Sequence, residues 1–382
     1  MGLRRFLSRY DLLIKGGLLV DPAQEINEKR DVAFLGGKVA AVEVSIPASS
    51  ADKVVDAEGK IVTPGLIDLH THVYYHVSPR LGVEPDSSHL MKGATTVLDV
   101  GSAGFIVFPG FRKHVIERAK TRIYALVCIG SLGLITFGYD NIKSTLLNME
   151  LIDVDATVKC IEENRDVVKG VKWHRMYGQK ALIAARQAAD RAGCLLMCEN
   201  SAIYWHPLDV VLKYLRSGDV LTHCFQGGPA PTVLDEDGNV RPEVEKAVRR
   251  GVVLDVGHGM GSFSFSVAER AILQGLLPTT VSTDLHMLNI NGPVYDIGTT
   301  LSKFLLLGLT LEQVIERATI NPAKVLGVDD RLGHLKPDAV GDAVVWQLLE
   351  GRFPLRDVLG VERIGQRLLG PVNVISSGSL AR

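Results

Sequence analysis

Two histidines separated by a single residue, His70 and His72, close an apolar run that follows a Pro64-Gly65 turn. Alternate residues of a strand share a face, so both imidazoles project side by side and can grip one metal ion. Groups of similar chemistry end later apolar runs: Lys172, Glu199, His223 and Asp284. Neutral imidazoles and carboxylates bind zinc and similar divalent ions at about 2.0–2.2 Å. A lysine ammonium does not, which makes Lys172 the odd member; Lys169, three residues earlier, falls on the opposite face of its strand. A single strand-end His or Asp is ordinarily a hydrogen-bonded loop residue. Six such groups at corresponding positions in one chain point to a metal site.

These residues need a scaffold that brings strand ends together. Besides the run that ends at His70 and His72, apolar strand-like runs occur at 95–100, 123–128, 167–172, 195–199, 220–224, 252–256 and 280–284. Helical stretches of 3.6-residue period lie between most of them, at 179–191, 208–215, 242–250 and 267–274. Continuous apolar strands alternating with amphipathic helices predict a parallel sheet covered on both faces. Eight such units predict an α/β fold, a closed (β/α)8 TIM barrel whose active site lies at the C-terminal ends of the strands. Before the barrel, 11–62 reads as short strands punctuated by glycine pairs, with hairpins expected at 12–20 and 31–40. The tail returns to short strands at 343–347 and 372–375. The expected division is a small β-sandwich from 1–62 plus 341–382, and a barrel over 63–340.

Of the 382 residues, 46% are hydrophobic and 22% charged, with a formal net charge of -1. That balance gives no reason to expect nucleic acid or an anionic membrane as partner. Met1 to Tyr10 carries three arginines with no signal-peptide core behind them, and no apolar run is long enough to span a bilayer. The five cysteines include no Cys-x-x-Cys pair, so buried free thiols and a cytoplasmic location are expected.

The turn, apolar strand and Asp68-Leu69-His70-Thr71-His72 run resembles the opening signature of the amidohydrolase superfamily of metal-dependent hydrolases. Longer stretches narrow the match: 218–227, around Thr222-His223-Cys224; 250–259, ending Gly257-His258-Gly259; Ser262-Phe263-Ser264-Phe265; Ser282-Thr283-Asp284; and Leu301-Ser302-Lys303-Phe304. Together they look like the dihydroorotase-like branch usually described as deacetylases. The resemblance implies hydrolysis of an amide (N-acyl) or ester bond of a small polar substrate by metal-activated hydroxide, with Asp284 as general base and acid. It implies His70, His72, Lys172, His223 and Asp284 as ligands of one or two divalent ions, zinc first, with manganese or iron as the other choices. Lys172 would be carboxylated, its carbamate bridging two ions. His258 would face the substrate from the strand-seven loop. Where the branch usually has an arginine two residues after the lysine, this chain has His174 and then Arg175. His174 is placed to reach substrate or metal, and Arg175 to bind a substrate carboxylate. Barrels of this kind commonly form homo-oligomers. The other readings are a cyclic-amide hydrolase of the dihydroorotase or hydantoinase type, and a non-catalytic oligomeric scaffold. The run Gly257 to Gly261 lacks the lysine and spacing of a phosphate loop.

One position departs from the pattern. The family expects a histidine at the end of strand five, and this chain has Met197-Cys198-Glu199-Asn200. Glu199 then either ligates the metal itself, leaves a single-ion site, or marks a chain that has lost hydrolysis.

Overall fold

The computed structural model describes residues 9–137, 148–199, 207–228 and 232–382. The first eight residues and Asn200, both used above, lie outside the described residues. Seven strands follow one another before the barrel begins: β1 (Tyr10–Lys15), β2 (Leu18–Asp21), β3 (Ile26–Lys29), β4 (Asp31–Leu35), β5 (Lys38–Glu43), β6 (Ala51–Asp56) and β7 (Ile61–Pro64). The barrel strands are β8 (Leu66–Thr71), β9 (Ala94–Gly104), β10 (Arg122–Cys128), β11 (Val168–Trp173), β12 (Leu195–Glu199), β13 (Val220–Thr222) and β14 (Val253–Leu254). The chain ends in β15 (Ala343–Arg356), β16 (Glu362–Ser376) and β17 (Ser379–Leu380).

Strands β8 to β14 form one sheet in sequence order, every pairing parallel. The eighth stave, expected as a strand at 280–284, is present only as two parallel bridges, Asp255 to Thr280 and Thr71 to Leu285. It closes the barrel by other bonds: Asp284 N donates to His70 O at 2.7 Å, and Thr283 N and Oγ1 both donate to Asp68. Hydroxyl and carboxylate side chains here replace part of a backbone ladder.

Ile67 and Leu69 belong to the apolar cluster inside the barrel, with Leu98, Val100, Leu126 and Met197. Uninterrupted alternation would then turn His70 and His72 to the outer face. A register shift between Asp68 and Thr71 swings them back to the interior. The helices that cover the outside include Gly178–Ala192, Leu208–Tyr214, Pro242–Arg249 and Phe265–Leu273, close to the bounds read from periodicity.

Both chain ends build the smaller β layers. One sheet runs β5-β4-β1-β6 and the other β17-β16-β15-β7-β2-β3. The hairpin expected at 31–40 is present as β4–β5, but the one at 12–20 is not: β1 and β2 lie in different sheets. Gly16, at φ +79° with its N–H on Asp31 Oδ1 (2.8 Å), turns the chain from one sheet to the other. A Cβ on Gly17 would meet Val62 Cγ2 at 2.5 Å. The split allows Leu12 and Ile14 of β1 to pack in one core with Leu19 of β2. A hairpin would have put all three in one sheet with no facing layer.

Trp346 of β15 joins this layer to the barrel. It is fully buried, and its indole N–H donates to Thr63 Oγ1 at 3.0 Å. A Cβ on Gly93 would lie 2.6 Å from its Cη2 atom. Trp346→Ala empties that contact and is expected to cost about 3–5 kcal/mol, read as a lowered urea midpoint. Among the described residues no helix is long and apolar enough to cross a membrane.

Candidate active site

The C-terminal ends of the barrel strands open into a cavity of about 290 Å³. Its polar floor holds His70, His72, Glu199, His223 and Asp284, and its walls include Leu81, Phe137 and Met260. Lys172 lies beneath this floor, fully buried, with Nζ 3.1 Å from Glu199 Oε1. The structure therefore brings together all six strand-end groups. They descend from five segments of the chain, and every one is less than a tenth exposed.

Hydrogen bonds at the far nitrogen fix how each imidazole faces the centre. His223 Nδ1 lies 2.7 Å from the Gly257 carbonyl, which can only accept, so the proton is on Nδ1. His70 Nδ1 lies 2.7 Å from Thr222 Oγ1, whose own proton is directed to Asp255 at 2.7 Å. His72 Nδ1 meets Ser102 Oγ at 2.9 Å. Each ring is thus held from behind, with Nε2 turned inward. Burial keeps these rings neutral: it pushes His70 well below the ordinary histidine range, with Lys172 adding to it, and takes His72 down to about 4.

Asp284 Oδ1 sits 3.5 Å from His70 Nε2 and 3.3 Å from His72 Nε2. It is buried and has no hydrogen-bond partner. A carboxylate facing imidazole lone pairs at that distance is repulsive unless a cation lies between them. Four ligand atoms about 2.0–2.1 Å from a tetrahedral ion are about 3.3–3.4 Å apart, which matches these separations. Ligand atoms of His70, His223 and Asp284 all lie within 4.8 Å of one another. The donor set fits a divalent ion. Backbone strain points to the same place, since His223 and Asp284 are held at φ +61° and +47°, a region that ordinary residues adopt at a cost. Gly257 and Gly259 allow the approach: a Cβ on Gly259 would lie 2.4 Å from Asp284 Oδ2.

Two further histidines present the opposite face. The Met176 N–H donates to His174 Nδ1 at 3.3 Å and the Leu288 N–H to His286 Nδ1 at 3.2 Å. Their protons are therefore on Nε2, which makes them hydrogen-bond donors toward the cavity and unsuited as ligands in this arrangement. His174 Nε2 lies 3.3 Å and Arg175 Nη1 3.4 Å from Glu199 Oε2. Burial alone would raise the Glu199 pKa, but His174, Lys172 and Arg175 outweigh it and hold the carboxylate well below the usual range.

His258 does not reach the cavity. Expected to face substrate, it is fully buried behind the strand-seven loop, stacked on Phe263 with ring centroids 4.6 Å apart and bonded to Lys303. The loop's tip, Met260 to Ser262, lines the cavity instead. His286 and Asp255 went unread in the sequence. Asp284-Leu285-His286 repeats the one-residue spacing of His70 and His72, and Asp255 is the one charged residue of the strand-seven run, so signals for both were present.

Amidohydrolase family models match residues 53–113 and 267–374. The chain is 36% identical over 345 residues to Deacetylase Atu3266 of Agrobacterium fabrum, covering 88% of this chain and 82% of that protein. Among solved structures it resembles an adenine deaminase at 30% identity and TM-score 0.87, covering 97% and 99% of the two chains. A dihydroorotase structure matches at 31% identity and TM-score 0.84, covering 97% of each.

Proposed function

The chain belongs to the amidohydrolase family, and from that premise we propose that it removes an acyl group from a small acid, cleaving an N-acyl amide or the corresponding ester. It is a metal-dependent hydrolase of C–N bonds, and the observation that carries this is the Asp284 carboxylate set against the inward Nε2 atoms of His70 and His72. A divalent ion in that nest supplies a Lewis acid and acidifies water. The chain's residues do the rest. His70, His72, His223 and Asp284 would hold the ion; Asp284 takes a proton from the attacking water and returns it to the leaving nitrogen. His174 and Arg175 face the substrate's carboxylate, and the apolar walls exclude water from the acyl group.

Lys172 is the residue we propose to be carboxylated, because its Nζ is buried and makes no hydrogen bond. Glu199 then takes the place of the strand-five histidine as a ligand of a second ion, with zinc the first choice of metal. Two divalent ions bring four positive charges, which the carbamate, Glu199 and Asp284 offset in large part. In this reading the chemistry lies wholly within 63–340, the segments 1–62 and 341–382 act as a supporting β unit, and the protein is a cytoplasmic homo-oligomer.

The match to a dihydroorotase structure favours a second reading, hydrolysis of a cyclic amide. A substrate panel separates the two. Turnover of N-acetyl amino acids or O-acetyl hydroxy acids, with none of hydantoins or dihydroorotate, is expected; the reverse selectivity would sink the deacylase proposal. Protein prepared with carbon-13 bicarbonate should show a carbamate resonance that Lys172→Ala removes.

A further inference from the structure

Lys303, in the helix Ile297–Leu306, is fully buried, yet among the described residues no carboxylate lies within ion-pair distance of it. Its Nζ donates to His258 Nε2 at 2.7 Å and to the Pro293 carbonyl at 2.8 Å. His258 accepts because its own proton is on Nδ1, facing the Gly259 carbonyl at 3.0 Å. Burial pulls the Lys303 pKa down to about 7. Asp357 and Asp296 offset this only in part, from beyond ion-pair distance, so enclosing an ammonium here is costly. A methionine would fill the same space without that penalty, so stability alone does not account for a lysine here.

The pair joins two loops that meet at the metal-binding nest. On one side His258 lies between Gly257, whose carbonyl sets the His223 tautomer at 2.7 Å, and Gly259, which passes against Asp284. On the other, Pro293 ends the loop that carries His286 and Asn289, and Asn289 Nδ2 donates to the Asp284 carbonyl at 2.8 Å. We infer that Lys303 is a positioning residue of the hydrolytic site: by clamping His258 and Pro293 it fixes the backbone that orients His223 and Asp284. This rests on the reading of His223 and Asp284 as ligands.

The test compares the parent with Lys303→Met and, to keep a fully apolar and foldable pair, with Lys303→Met/His258→Phe. Zinc affinity is measured by competition with a chromophoric chelator. Both variants are expected to bind zinc about 10-fold more weakly, the low end of what loss of a ligand's direct outer partner costs, because the Gly257 carbonyl is shifted and not removed, with kcat/KM falling in proportion and KM little changed. The thermal midpoint of the metal-free variants should equal or exceed the parent's. In metal-free protein, nitrogen NMR should show His223 as a single Nδ1–H tautomer in the parent and as a mixture in the variants. Zinc affinity, kcat/KM and tautomer all within twofold of the parent would overturn the inference. So would a lowered midpoint that accounts for the affinity loss, since Lys303 would then be an ordinary core residue. If the parent itself takes up no zinc, the hydrolase reading fails, while the tautomer comparison still decides whether Lys303 orients His223.

Discussion

Removal of divalent metal is expected to abolish turnover, by on the order of 10³-fold or more, and to leave the barrel folded. The estimate follows from what an ion contributes to such a reaction, several kcal/mol of transition-state stabilisation, with each 1.4 kcal/mol worth about tenfold in rate. The fold should survive because the barrel is held by its own ladders and by an apolar interior that includes Leu98, Val100 and Leu126. The nest should nevertheless be under tension. His70 and His72 direct Nε2 at Asp284 Oδ1 from 3.5 and 3.3 Å, and without a cation that contact is repulsive. Dialysis against a chelator, with activity and circular dichroism followed together, checks both halves; adding zinc or manganese back should restore the rate. Full activity in protein shown by elemental analysis to be metal-free would remove the metal from the reaction.

Asp284→Asn should be the most damaging single substitution, lowering kcat by about 10²- to 10⁴-fold, the range for loss of a general acid–base group. Asparagine keeps the shape and can still be held by the bond from Asp284 N to His70 O, but it cannot accept a proton. The acidic limb of the pH–rate profile, which reports this base, should vanish in the variant. Because the side chain is also a proposed ligand, metal content must be measured beside the rate. A variant that retains its metal and loses only turnover isolates the proton transfer. A variant with parental kcat would mean that another group carries the proton.

Much of this protein can be read along its chain. The strand-and-helix alternation, and the places of His70, His72, Lys172, Glu199, His223 and Asp284 at the ends of apolar runs, depend on local periodicity, which a linear sequence displays directly. Such periodicity decides which element forms and roughly where it ends. The absence of a histidine from Leu195 to Glu199 is likewise a fact of sequence.

What the periodicity could not decide is which groups meet. The 12–20 hairpin failed because two facing sheets, not one ribbon, bury Leu12, Ile14 and Leu19. His258 looked like a substrate contact, and packing against Phe263 and Lys303 turned it inward. Local alternation alone would have pointed His70 and His72 away from the interior once Ile67 and Leu69 faced it; a register shift restores them. Above all, the partners that turn Nε2 of each ring inward, Thr222 for His70, Ser102 for His72 and Gly257 for His223, are 152, 30 and 34 residues distant in the chain. The sequence by itself supplied the candidate metal-binding groups and the scaffold that carries them. Only the closed barrel decided which nitrogen of each ring faces the centre, because that depends on hydrogen bonds between segments that meet only when the barrel closes.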